Sequence, residues 1–397
     1  MEDNIIYLDN AATTKVFKEV SEIIYRYNEE LFFNPSGIYS QSKRIKKEIE
    51  DSRTKLSKLI NCEPEEIFFT SSGTEANNWA IKGTVYRNKN KGNHIIISSI
   101  EHHSVENICK SLEKNGYNIS KLKVDKEGFI NIEELENTIT DKTIIVSIIY
   151  ANNEIGVIQN ISEIGKICKK HNIIFHTDAV QAFGHIKIDV KKDNIDLLSV
   201  SGHKFGAPKG IGFLYINKTI KIDNLIDGGG QEKNKRGGTE NVSGIISLCK
   251  AAEITYTDID KKNNYLLDLR NYCIDKISKE IQYCKLNGPI NNRLPNNINF
   301  SFEFVEGESI VLHLNKYNIC CSTGSACSSN TLQASHVLLA IGLSHELAHG
   351  SLRITLSIEN NKEQIDFFIN KLKEIIENLR KLSPLYEDFI KINQEIK

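Results

Sequence analysis

The chain has 397 residues, 40% hydrophobic and 25% charged, with a formal net charge of -1. That is the make-up of a globular enzyme with room for one large and one smaller domain, without the basic surplus that nucleic acid or an anionic membrane surface would need. No apolar run approaches the ~20 residues of a transmembrane helix. The acidic start Met-Glu-Asp-Asn-Ile-Ile-Tyr is unlike a signal peptide, and nine scattered cysteines argue for a reducing cytoplasm over a disulfide framework.

Residues 7–14 read as a short strand running into a turn whose composition demands no chemistry. Residues 33–37 form a loop, and the helix after it places Ile45, Ile49, Leu56 and Leu59 on one face. Residues 67–70 are a strand ending in Ser71-Ser72-Gly73-Thr74-Glu75, where a helix containing Trp79, Ala80 and Ile81 begins. Hydroxyls and a glycine at a helix N-terminus suit a phosphate, with Gly73 letting the backbone approach and Thr74 adding a hydroxyl. An ordinary N-cap by Ser72 or Thr74 explains the same residues.

Residues 94–100 form a buried strand with Glu101-His102-His103-Ser104 at its C-terminal end, the edge that carries ligands in parallel α/β sheets. There His102 suits stacking on a cofactor or moving a proton, and equally a surface cap. Residues 143–150 are too uniformly apolar for a one-sided sheet and end in Asn152-Asn153-Glu154. A helix around Ile161, Ile164 and Ile167 follows, then a strand at 173–176 ending in Thr177-Asp178-Ala179-Val180-Gln181. The strand at 195–200 leads into Ser201-Gly202-His203-Lys204, and the next strand occupies 211–216. A lysine at a buried strand end is costly unless paired, exposed or covalently used, so Lys204 is either a cofactor anchor or a solvated turn residue. Alternating strands and helices predict a mostly parallel sheet with helices on both faces. Thr74, His102, Asn153, Asp178, Gln181 and Lys204 then share one sheet edge, which a site explains better than chance.

Residues 227–241 make a basic, glycine-rich loop suited to an anion, followed by a helix from Val242. A domain change is expected near 257, giving a large domain of 15–257 and a small α+β domain of 1–14 with 258–397. In the latter, 297–302 is an antiparallel strand, Cys320 and Cys321 end another as packed residues, and 352–356 is a third. The last helix carries Ile365, Phe368, Ile369, Leu372, Ile376 and Leu379 at helical spacing, and a mostly polar tail follows Tyr386.

Several motifs together resemble the cysteine desulfurases of the NifS/IscS type, in the class-V aminotransferase family of the fold-type-I pyridoxal-phosphate superfamily. They are YLDNAATT at 7–14, NPS at 34–36, TSSGTEANN at 70–78, Glu101-His102, NNEIG at 152–156, HTDAVQ at 176–181 and SGHK at 201–204. Further on come GGG at 228–230, RGGTEN at 236–241, GSAC at 324–327 and Ser335-His336. The run covers nearly the whole chain in order, and its end and 238–241 lean towards the nitrogen-fixation type. Gln333-Ala334, in place of a common Glu-Pro, and Tyr39, in place of a common histidine, depart from the pattern.

The resemblance implies that Lys204 holds pyridoxal phosphate as a Schiff base and that Asp178 pairs with its ring nitrogen. It implies Gln181 and Asn153 near the ring oxygen, His102 over the ring, and Gly73, Thr74, Ser201, Gly202 and His203 at the phosphate, completed by Thr239 of the partner subunit in a homodimer. Arg353 would bind the substrate carboxylate, with Asn153 beside it. Cys327, in a loop of small residues with little to pack, would accept sulfur from L-cysteine as a persulfide and pass it to an iron–sulfur scaffold or other acceptor protein. A transient iron–sulfur ligand role for Cys327 belongs to the same picture. The rival readings are a selenocysteine lyase or another enzyme of this scaffold, and a sulfur-handling protein without catalysis.

Overall fold

A computed structural model describes residues 5–323 and 334–395. Its strands are β1 (Ile6–Tyr7), β2 (Ile67–Thr70), β3 (His94–Ser98), β4 (Asn118–Leu122), β5 (Thr143–Ser147), β6 (Ile174–Asp178), β7 (Leu197–Ser201), β8 (Gly212–Ile216), β9 (Cys284–Leu286), β10 (Asn297–Phe302), β11 (Ile319–Cys320) and β12 (Ser351–Thr355). Seven of them form one sheet in the order β2-β8-β7-β6-β5-β3-β4. All run parallel except β8, which is antiparallel to both neighbours. The C-terminal ends of β2, β3, β5, β6 and β7 therefore share one edge. This is the mostly parallel, doubly covered sheet of the fold-type-I class. No helix among the described residues is long and apolar enough to cross a membrane.

The apolar runs supply both faces of this sheet, because successive strand residues point to opposite sides. Phe69, Ile96, Val146, Leu198 and Phe213 face a core with helices Ser40–Leu59, Ile161–Lys170 and Val242–Tyr256. Their neighbours Phe68, Ile95, Ile145, Leu197 and Leu214 face helices Gly73–Arg87 and His103–Glu113. β4 is less legible in the chain: it is an edge strand with polar and half-exposed positions and no apolar run. A third core lies around the antiparallel order β12-β10-β9 and helices Ile259–Glu280 and Lys362–Lys381. β1 joins it from the chain start by pairing in parallel with β11.

One expectation is corrected. Lys362–Lys381 is not the last helix: a further helix spans Pro384–Glu395 and includes the mostly polar segment after Tyr386. Proline is favoured at a first helical position, and Tyr386 and Phe389 pack against Tyr283 and Phe304, so these aromatics give the segment an apolar anchor.

The glycine-rich loop is tied down at two points. Glu232, buried, forms a two-armed ion pair with buried Arg53 at 2.9 Å and accepts from the Phe69 amide at 2.9 Å. Arg236 grips Glu75, in the first turn of helix Gly73–Arg87, at 2.8 and 3.1 Å. Glu232, Lys233 and Asn234 have φ of 44°, 58° and 63°, a left-handed run that costs energy and persists because these contacts over-determine it. Removing one partner of a buried pair leaves an uncompensated charge. Glu232→Ala should therefore lower stability by about 3–5 kcal/mol in denaturant unfolding, and Arg53→Met combined with Glu232→Gln should lose less than Glu232→Ala alone. Equal losses would show that the pair is not what holds the loop.

Candidate active site

β6 ends at Asp178, which is buried. Its Oδ1 accepts from the Val180 amide at 3.0 Å and its Oδ2 from Asn77 Nδ2 at 2.7 Å. Asn77 Nδ2 also lies 2.9 Å from Ser104 Oγ, which is 2.8 Å from His102 Nδ1. A chain of contacts thus runs from Asp178 through Asn77 and Ser104 to His102. His102 is also the cap of helix His103–Glu113: the Ser104 amide donates to its Nδ1 at 3.1 Å. Nδ1 is therefore an acceptor, and the neutral ring carries its proton on Nε2. Burial, partly opposed by the Asp178 charge, lowers the His102 pKa. His102 is thus a helix cap held in the contact chain to Asp178.

Ser72 is the cap of helix Gly73–Arg87, accepting from the Glu75 amide at 3.1 Å. Thr74 is left exposed in the first turn, where it lines a cleft with Asn78, His102 and Ser104. The amides of Gly73 and Thr74 lie ahead of the first in-helix bond, from Ala76 to Ser72 at 3.1 Å. A Cβ at Gly73 would stand 2.6 Å from Val180 Cγ2 and 3.3 Å from Ser201 Cβ, so only glycine lets these three segments close together.

The turn after β1 reaches into this edge, although its composition signals nothing. Lys204 Nζ donates to the carbonyls of Ala11 and Ala12 at 2.7 and 2.8 Å, and Gln181 Nε2 to Ala11 at 3.0 Å. His203 Nδ1 lies 3.2 Å from Thr13 Oγ1, and burial followed by the Lys204 charge lowers its pKa to about 4. Arg353, buried on β12, donates to Asp9 Oδ1 at 2.8 Å and to the Asn153 carbonyl at 3.4 Å. Its Nε is buried without a hydrogen-bond partner among the described residues, as is Asn77 Oδ1.

Thr74, His102, Asp178, Gln181, Ser201, Gly202, His203 and Lys204 thus meet along one sheet edge, with Asn153 and Arg353 beside them. Thr239 lines a different cleft, with Thr70, Ser71, Glu232 and Arg236. Cys327 lies outside the described residues. Cys321 is buried, as expected of a packed residue, and that burial raises its pKa; Cys320 is half-buried. Asp9, the carbonyls of Ala11 and Ala12, Asn77 and Ser104 were missed as site residues. All but Ser104 lie inside the motifs at 7–14 and 70–78, the one signal that could have found them.

A family model described as aminotransferase class-V matches residues 6–368. The cysteine desulfurase IscS of Clostridium botulinum is 52% identical over 392 residues, 98% of this chain and 99% of the relative. The protein of that name from Methanosarcina thermophila is 52% identical over 384 residues, 97% and 95% of the two chains. A solved NifS-like protein superposes with a TM-score of 0.89 at 34% identity, covering 94% of this chain and 99% of that one.

Glu154 follows Asn153 and is buried; it accepts from Ser335 Oγ at 2.5 Å. Burial raises its carboxyl to about 7 from an ordinary 4.5, although Ser335 and Arg353 pull it down. A folded value above the unfolded one gives stability that is full below about pH 4.5 and lost as pH rises through about 7. Glu154→Gln removes that loss. Melting temperatures of variant and parent should diverge in the variant's favour as pH rises from about 4.5 to about 7; a parallel pair of curves would refute the buried neutral acid.

Proposed function

The chain belongs to the class-V aminotransferase family and, within it, to the cysteine desulfurases, and from that premise we propose that it takes sulfur from L-cysteine, releases L-alanine and holds the sulfur as a persulfide on Cys327. The cofactor proposed is pyridoxal phosphate. The observation that carries this reading is the convergence of Lys204, Asp178, Gln181 and His102 on one strand-end edge beside a glycine that a Cβ could not replace.

The residues fit the cofactor by chemistry. Lys204 offers an amine, Asp178 a buried carboxylate for a protonated ring nitrogen, and Gln181 an amide for the ring oxygen. The amides of Gly73 and Thr74, with Ser201, Gly202 and His203, suit the phosphate at a helix start, and Thr239 of the partner subunit completes that set in the proposed homodimer. When bound, the cofactor supplies a ring that takes up the electron pair released as the substrate's Cα–H bond breaks.

The remaining work falls to the chain's side chains. Arg353 holds the substrate carboxylate, for which its unpartnered Nε is a ready donor, and Asn153, whose carbonyl Arg353 contacts at 3.4 Å, is proposed to assist. Lys204 Nζ takes the Cα proton. The Cys327 thiolate attacks the substrate Sγ, the Cβ–S bond breaks with its electron pair left on carbon, Cβ gains a proton and Cα regains the one it lost, so alanine leaves. His102, which carries its proton on Nε2, is proposed to take part in these proton transfers. The persulfide then passes to a thiol of an acceptor protein, here proposed to be an iron–sulfur scaffold on which Cys327 could transiently ligate a cluster. We also propose the division into a large unit, 15–257, and a small one, 1–14 with 258–397, that carries Cys327.

Cys327→Ala should abolish sulfide release from L-cysteine while the cofactor absorbance survives; sulfide release at the parent rate would sink the persulfide assignment. Arg353→Lys keeps the charge but loses the planar fork. It should raise KM for L-cysteine by about tenfold or more with a smaller fall in kcat, and an unchanged KM would remove Arg353 from substrate binding.

A further inference from the structure

One cluster beside the site has no part in this chemistry. His103 and Glu106 stand at i and i+3 on one face of helix His103–Glu113. His336 opens helix His336–Ala340, with Ala334 and Ser335 between it and 324–333. One nitrogen from each imidazole and one Glu106 oxygen all lie within 4.8 Å of one another. The two rings are 4.7 Å apart, centre to centre, and His103 Nδ1 is 3.2 Å from Glu106 Oε2. His336 Nε2 lies 2.9 Å from the Glu101 carbonyl. A carbonyl only accepts, so Nε2 carries the proton and the lone pair sits on Nδ1. An imidazole oriented by donating its second nitrogen to a backbone carbonyl is the usual arrangement of a metal ligand. The His103 side chain is 36% exposed and Glu106 14%, so an ion can enter from solvent.

We propose that His103, Glu106 and His336 form a binding site for a divalent transition-metal ion of borderline softness, with Zn2+ as the type case, at the rim of the active site. Two imidazoles and one carboxylate suit such an ion, whereas Mg2+ and Ca2+ favour oxygen alone. Three protein ligands leave a fourth position for water. Two features oppose the ion: Lys110 and Lys121 contact Glu106 Oε1 at 3.1 and 3.0 Å, and the helix start is the positive end of its dipole. The site is accordingly an exchangeable one, weaker than a closed structural zinc centre. An ion there bridges the helix that follows His102 to the helix that follows the Cys327 segment.

The test is a Co2+ titration of the full-length chain carrying Cys327→Ser, which keeps that thiol from competing. The result expected is one Co2+ per chain, with visible d–d bands, no thiolate-to-cobalt charge-transfer band, and displacement by Zn2+. His103→Ala and His336→Ala should each weaken binding by at least about tenfold. Lys121 is not itself a ligand, so Lys121→Ala removes an opposing charge that pairs with Glu106 and should tighten binding several-fold. Absence of stoichiometric binding, a thiolate band, or an affinity unmoved by His103→Ala and Lys121→Ala would each overturn the proposal.

Discussion

The site depends on one backbone turn, residues 9–13, wedged between the large sheet and β12. Asp9 pairs with buried Arg353 at 2.8 Å, which ties the turn to the antiparallel sheet. Two residues on, the Ala11 carbonyl receives Lys204 and Gln181, and Ala12 receives Lys204 again. Thr13 faces His203. Backbone carbonyls serve here because a turn already exposes them and they carry no side chain to compete for space. Losing the Asp9–Arg353 pair would leave a buried guanidinium short of a partner and free the turn that positions Lys204.

Around that turn, polar groups are held by other polar groups. The contacts from Asp178 through Asn77 and Ser104 to His102 cross three elements of the fold. The helix amide of Ser104 fixes the His102 tautomer, and Asp178 accepts two hydrogen bonds that keep its carboxylate aimed along the strand end. The same logic governs the glycine-rich loop. Its left-handed residues are costly, and Arg53 and Glu75 hold them by charge-assisted hydrogen bonds.

The strands of the main sheet were legible because both of its faces are buried, so each strand is a run of Ile, Val, Leu or Phe. Where one face is exposed, as in β4, the run vanishes and so does the signal. Helix Pro384–Glu395 was hidden for a related reason. Its apolar contacts, Tyr386 and Phe389, are few, and their partners Tyr283 and Phe304 lie about eighty or more residues away in the chain. The site was legible as a set of polar residues at strand ends, but its supporting contacts were not. Asn77 reads as a helix residue and Ala11 as filler until the sheet brings β6 and β7 against them.

By itself, the sequence determined the strands of the sheet other than β4, their order along the chain and the side chains that end on its reactive edge, because those follow from local periodicity and from strand ends being polar. Only the tertiary structure decided that β8 runs against its neighbours, that the first turn of the chain closes on Lys204, that Arg353 answers Asp9, and that His102 caps a helix while facing Asp178. Each of these joins residues about 75 to 345 positions apart or sets a strand's direction. Such contacts depend on packing that no local pattern in a single chain encodes.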